Sequence, residues 1–235
     1  MNDPLMIGTR GWEHAEWTGG FYPAELPDDW RFCFYSNNLR SVLVPGETWR
    51  TDTHPDVKQW MEDSDPAFRF VLELPEVLGL PLTHGRRDQV LEAFLDGIKP
   101  IAPRVAGLLL RIAPDTPVYP DGFEHLLGQL AVVTPVCVDL PEGDWRSGEV
   151  CAALDRQGAG LAWHCGSEPA PRGGGELMVA LAPPVDARTA RHWIEQLARW
   201  QGHGPEARAG LFFETSERSV KSAQEARLIA ELMGV

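Results

Sequence analysis

Six short apolar runs in this chain each end on an ionisable side chain: Arg10, Glu73, Arg111, Asp139, His164 and Glu214. A seventh such residue, His84, stands shortly after one of the runs. Arginine suits two-point recognition of a carboxylate or phosphate, and a histidine near its ordinary pKa suits proton transfer at neutral pH. The set therefore reads as a site in which Arg10 and Arg111 grip an anionic group while His84 or Asp139 moves a proton. Glu73, His164 and Glu214 complete the lining. The competing reading is structural: the same groups form a satisfied ion network, as buried Arg–carboxylate pairs often do. Glu73 and Arg111 fall on consecutive runs, and adjacent strands lie about 4.8 Å apart, so these two are expected to pair directly. His84, Asp139, His164 and Glu214 are also metal-ligand types. However, no H-E-x-x-H or paired ligand spacing accompanies them. No resident cofactor is expected, and a divalent metal is the weaker alternative.

The elements that must position these groups follow from periodicity. Eight β-like runs cover 5–9, 41–44, 68–74, 107–112, 136–140, 160–164, 177–181 and 210–214. Near-continuous apolar runs of this length read as parallel strands covered on both faces. Helical stripes separate many of them. Asp88 to Pro100, Asp186 to Gln201 and Ser219 to Met233 carry apolar residues one turn apart, with Asp186 placed as an N-cap. Shorter helices are expected over 56–62, 121–130 and 148–157. Strand–helix alternation with eight strands predicts one (β/α)8 barrel over residues 1–235, with a doubly wound open sheet as the alternative. The Pro/Gly-rich segment 165–176 predicts a flexible connector in place of a helix between the sixth and seventh runs.

Composition removes other classes. A formal net charge of −13 disfavours nucleic acid, whose binding rests on neutralising phosphates. The four cysteines have neither zinc-ribbon nor disulfide-framework spacing. No apolar run approaches the roughly 20 residues that span a bilayer, so no membrane association is expected. No signal-peptide pattern opens the chain, which makes the cytoplasm the expected compartment. Of the nine tryptophans, Trp12 and Trp17 after the first run, with Trp49 and Trp145 after two others, are expected to form an apolar rim. A ligand-facing role is assigned to Trp12 and Trp17.

The opening Gly8-Thr9-Arg10-Gly11-Trp12, followed by Trp17 and Gly20-Phe21-Tyr22-Pro23, resembles the start of the YecE-like family, domain of unknown function 72. That family opens G-T-S-G-W, then a Trp, then G-x-F-Y-P. Phe68-Arg69-Phe70 with Leu74-Pro75, Thr83-His84, and Leu108 to Pro114 resemble its later motifs, and Phe212 to Thr215 answers its terminal Y-F-N-N. The resemblance implies a TIM-type barrel of undetermined activity. Departures cluster where barrel chemistry sits. The family's strand-two Glu and Asn fall on Leu43 and Pro45, its strand-three Lys on Glu73, its strand-four Gln on Arg111, and its terminal Asn pair on Glu214-Thr215. Two functions remain in view. One is a degenerate member that binds a small anionic ligand or a partner without turnover. The other is an enzyme of hydrolase, lyase or isomerase type acting on a small anionic or sugar-phosphate-like substrate.

Overall fold

Strand and helix alternate throughout the computed structural model, which describes residues 5–49, 55–82, 84–166, 175–201, 204 and 207–235. In chain order the elements are β1 (Met6–Thr9), α1 (Arg31–Asn38), β2 (Ser41–Val44), α2 (Val57–Asp63), β3 (Arg69–Glu73), α3 (His84–Ile98), β4 (Val105–Arg111) and α4 (Pro120–Ala131). There follow β5 (Val136–Asp139), α5 (Gly148–Gln157), β6 (Gly160–Leu161), β7 (Trp163–His164), β8 (Leu177–Ala182), α6 (Ala187–Gln201), β9 (Arg208–Phe213) and α7 (Ser219–Met233).

All named strand pairs are parallel, and they form two sheets, ordered β2-β3-β4-β5-β6 and β1-β9-β8-β7. The sheets meet at two seams. At one, β6 and β7 are halves of the single expected sixth run, separated only by Ala162, whose N–H still donates to Val138 O at 2.8 Å. The other seam lies between β1 and β2. There Arg10 and Leu43 form an isolated parallel bridge, and Gly11 N–H donates to Leu43 O at 2.8 Å.

Just below that bridge the Tyr35 hydroxyl fills the seam. It accepts from Thr9 N–H at 3.0 Å and donates to Ser41 O at 3.0 Å. Tyr35 belongs to α1, a helix that periodicity does not announce, because Arg-Phe-Cys-Phe-Tyr-Ser-Asn-Asn is poor in strong helix formers. Tertiary packing supplies what propensity lacks: Phe32 and Tyr35, one turn apart, are both buried against the sheet.

Most other expectations hold within a turn. Asp186 caps α6 by accepting from Thr189 N–H at 2.9 Å, and Asp56 caps α2 through Gln59 N–H at 3.1 Å. α3 starts a turn earlier than Asp88. Of the expected connector 165–176, residues 167–174 lie outside the described residues. Cys165, Gly166, Gly175 and Glu176 are not helical.

The core divides in two. One buried apolar cluster draws residues from both sheets, among them Met6, Leu43, Val71, Leu109, Cys137 and Phe212. The other fills the space between the opposite strand faces and the helices. A parallel sheet covered on both sides gives this pair of layers. Among the described residues, no helix is long and apolar enough to cross a membrane.

Candidate functional site

Side chains on a strand return to the same face every second residue. Val71, Leu109, Cys137, Ala162 and Phe212 belong to the inner apolar cluster. Two residues further along each chain segment stand Glu73, Arg111, Asp139, His164 and Glu214. Arg10 follows Gly8 in the same way. The periodicity that packs the inner cluster thus delivers six ionisable groups to the carboxyl ends of the strands, and the structure brings them into one network.

Arg10 holds Glu73 at two points, Nε to Oε1 at 2.8 Å and Nη2 to Oε2 at 2.7 Å. Its other face holds Glu47, with Nη1 to Oε1 at 3.0 Å and Nη2 to Oε2 at 2.7 Å. Burial alone would lower the Arg10 pKa, but the hydrogen bonds and charges of Glu73, then Glu47, outweigh it and hold the group above its ordinary value. Burial likewise pushes the Glu47 carboxyl up, and its bonds to Arg10 reverse that, leaving it below the usual range. The Glu73 side chain is only 3% exposed. It also accepts Gly46 N–H at 3.0 Å, which ties the turn after β2 to β3.

Arg111 is held differently. Its Nε lies 3.1 Å from Glu73 Oε1, its Nη1 3.8 Å from Asp139 Oδ2 and its Nη2 3.8 Å from Glu214 Oε1. None of these is an aligned hydrogen bond, and the Nε and Nη2 atoms are buried without a hydrogen-bond partner. Asp139 Oδ1 meets His164 Nε2 at 2.7 Å. The hydrogen bond that His164 donates to Asp139 raises the His164 pKa above its ordinary value. Burial opposes this, and the charges of Asp139 and Glu214 reinforce it.

Arg10, Glu73, Arg111, Asp139 and His164 line a cavity of about 610 Å³ together with Glu47, Trp49, Glu76, Glu142 and Arg146. Its volume falls within the range of small-molecule pockets, and several charged groups converge on it.

Several expectations need correction. Arg10, expected to grip an anion, is already bonded to two carboxylates. Trp12 and Trp17, expected to face a ligand, are buried at 5% and 1% exposure and line neither described cavity. Trp12 packs between Phe32 and Trp60 with centroids 4.9 Å from each, and Trp17 Nε1 donates to Ser216 O at 2.9 Å. Trp145 is buried too, its indole N–H bonded to Thr116 O at 2.7 Å. Of the expected rim only Trp49 reaches the cavity. His84 opens α3, but its side chain and Thr83 lie outside the described residues. Among the described residues no group of three or more His, Cys, Asp and Glu is arranged to hold a metal; Arg111 stands between Asp139 and Glu214. Glu47 and Arg146 were not anticipated. The available signal for Glu47 was an acidic residue directly after the Pro45-Gly46 stop of β2.

Parallel strands bearing charged groups at their carboxyl ends define an α/β protein of the kind whose sites lie at that end. The model of the family described as "Protein of unknown function DUF72" matches residues 6–235, and the chain belongs to that family. No curated protein matches the chain. Among solved structures it is similar to a DUF72 family protein from Enterococcus faecalis V583, with TM-score 0.73 and 10% identity over 97% of this chain and 95% of that one. A DUF72 family protein from Thermotoga maritima MSB8 gives TM-score 0.70 and 14% identity over 98% and 100%. A methyltransferase from Methanosarcina mazei gives 0.58 and 11% over 100% and 95%. At these identities the likeness concerns the fold alone.

Proposed function

We propose that the two sheets are one (β/α)8 barrel, a single domain, whose mouth binds a small ligand through one anionic group held by Arg111. The observation that carries this reading is the state of that guanidinium. Two of its nitrogens are buried without hydrogen bonds, on a side chain that is one-third exposed and belongs to a residue lining the 610 Å³ cavity, while the neighbouring Arg10 is bonded to two carboxylates. Buried donors left unmade are costly, and a ligand oxyanion supplies the missing acceptors. The carboxylates lining the cavity outnumber its arginines, which favours one anionic group per ligand and disfavours a polyphosphate backbone. Closure into a barrel is supported by the bridge at one seam and by the single residue that separates β6 from β7 at the other.

The test is a thermal-shift and calorimetric screen with phosphorylated sugars and nucleoside monophosphates. A ligand of the folded state raises apparent stability by mass action. Saturable binding that Arg111→Gln weakens at least tenfold supports the reading. Binding indifferent to Arg111→Gln, or none across the screen, overturns it.

The His164–Asp139 contact favours a second reading, an enzyme in which His164, oriented by Asp139, exchanges a proton with the bound ligand. Its discriminating readout is turnover, lost in His164→Gln with ligand affinity retained.

A further inference from the structure

A second cavity, of about 380 Å³, opens at the opposite end of the strands. Its lining includes Met6, Ser41, Arg69, Val105 and Arg208, each the first residue of its strand, so it faces away from the mouth. Four arginines line it, Arg40, Arg69, Arg208 and Arg227; Arg69 Nη1 donates to Pro66 O and Phe68 O at 3.1 and 3.2 Å, and Arg208 Nη1 to Ala106 O at 3.2 Å. Glu231 is the one carboxylate side chain among the described lining residues. In a chain of net charge −13, that concentration of positive charge is the reverse of the whole. Between the arginines the surface is apolar, built from Leu5, Met6, Ile7 and Val105.

Two polar groups here lack partners. Ser41 Oγ is buried with no hydrogen bond, on a residue only 2% exposed. Arg227 bonds Glu231 through Nη1 at 2.7 Å, yet its Nε is buried and unpaired. Clustered guanidinium groups repel one another, and an oxyanion relieves that repulsion while accepting from forked N–H donors. A hydroxyl can donate to the same group. We infer that this cavity is a second ligand site, for an oxyanion borne on a short apolar body, with Arg69, Arg227 and Ser41 around the oxyanion and Met6 against the apolar part. The inference does not rest on the reading of the mouth.

The experiment titrates the full chain at low salt with n-butyl phosphate and with inorganic phosphate. Heat of binding is followed together with the ¹³C signal of the Met6 methyl. Saturable binding is expected, with a Met6 shift that saturates in step with the heat. Butyl phosphate should bind about tenfold more tightly than inorganic phosphate, because its chain covers apolar floor. Arg227→Gln should weaken binding at least tenfold, whereas Arg111→Gln at the mouth should leave it unchanged. Heat without a Met6 shift, binding lost in Arg111→Gln instead, or a response that never saturates would each overturn the second site. If Arg227→Gln fails to fold, Ser41→Ala takes its place, with at least threefold weakening expected and unchanged affinity counting against the site. Loss of mouth binding in the Arg111 variant with this site intact would separate failure of one reading from failure of the other.

Discussion

Thr9 of β1 and Ser41 of β2 are joined through a side chain: the Tyr35 hydroxyl accepts the Thr9 N–H and donates to the Ser41 carbonyl, each at 3.0 Å. Adjacent parallel strands usually satisfy such groups on each other. Here a phenol from the intervening helix does so, and burial raises its pKa well above the ordinary tyrosine value. Removing the hydroxyl in Tyr35→Phe leaves a buried donor and a buried acceptor unmade at about 1–3 kcal/mol each. Urea denaturation should show a loss of about 2–4 kcal/mol with little change in slope. A variant as stable as the parent would mean that the strands satisfy each other without the phenol.

That seam also shows where sequence reading stops. The apolar runs announce the strands because parallel strands are buried on both faces, and a period of two carries Glu73, Arg111, Asp139 and His164 to one end once the inner residues are known. The direct Glu73–Arg111 contact follows from neighbouring strands alone. Helix α1 is not legible, since its stability comes from burying Phe32 and Tyr35 and not from propensity. Nor is the division of labour between the two arginines. It turns on Glu47, which lies in a turn whose geometry no periodicity encodes.

The Arg10–Glu73 pair should behave as a buried ion pair does. Replacing one partner strands the other, so Arg10→Met is expected to cost about 3–5 kcal/mol, with Arg111 too poorly aligned to compensate fully. Arg10→Lys should recover little, because an ammonium cannot hold Glu73 and Glu47 at two points each. The double variant Arg10→Met/Glu73→Leu removes both charges and should be more stable than Arg10→Met alone. Chemical unfolding of the three proteins checks this. A double variant no better than the single would place the cost in lost packing.

Tryptophan positions separate packing from binding. Trp12 sits between Phe32 and Trp60 at 5% exposure, so Trp12→Ala should cost about 3–5 kcal/mol through the cavity it leaves. Affinity for a mouth ligand should stay within about twofold, a margin of about 0.4 kcal/mol. Trp49 lines that cavity while packing on Trp60 and Phe94. Its replacement by Phe should lower affinity more than stability. Calorimetric titration beside thermal unfolding distinguishes the two, and a Trp12 variant that folds normally but loses ligand would reverse the assignment.

The His164–Asp139 contact makes stability depend on pH in a stated direction. The hydrogen bond donated to Asp139 raises the imidazole pKa in the folded protein above its ordinary value near 6.5. The folded state therefore holds the proton more tightly than the unfolded chain. The resulting stabilisation is fully present below the unfolded pKa and is lost as pH rises through the folded one. Between about pH 6.5 and the folded value, apparent stability should fall as pH increases, by a modest amount because the side chain is nearly half exposed. Asp139→Asn removes the main cause of the shift, and His164→Gln removes the titrating group, so both should flatten this part of the profile. Histidine ¹⁵N titration reads the same quantity directly: the His164 midpoint should lie above that of an exposed histidine and fall back towards it in Asp139→Asn. A midpoint unmoved by that substitution would show that the 2.7 Å contact does not set the charge state of His164.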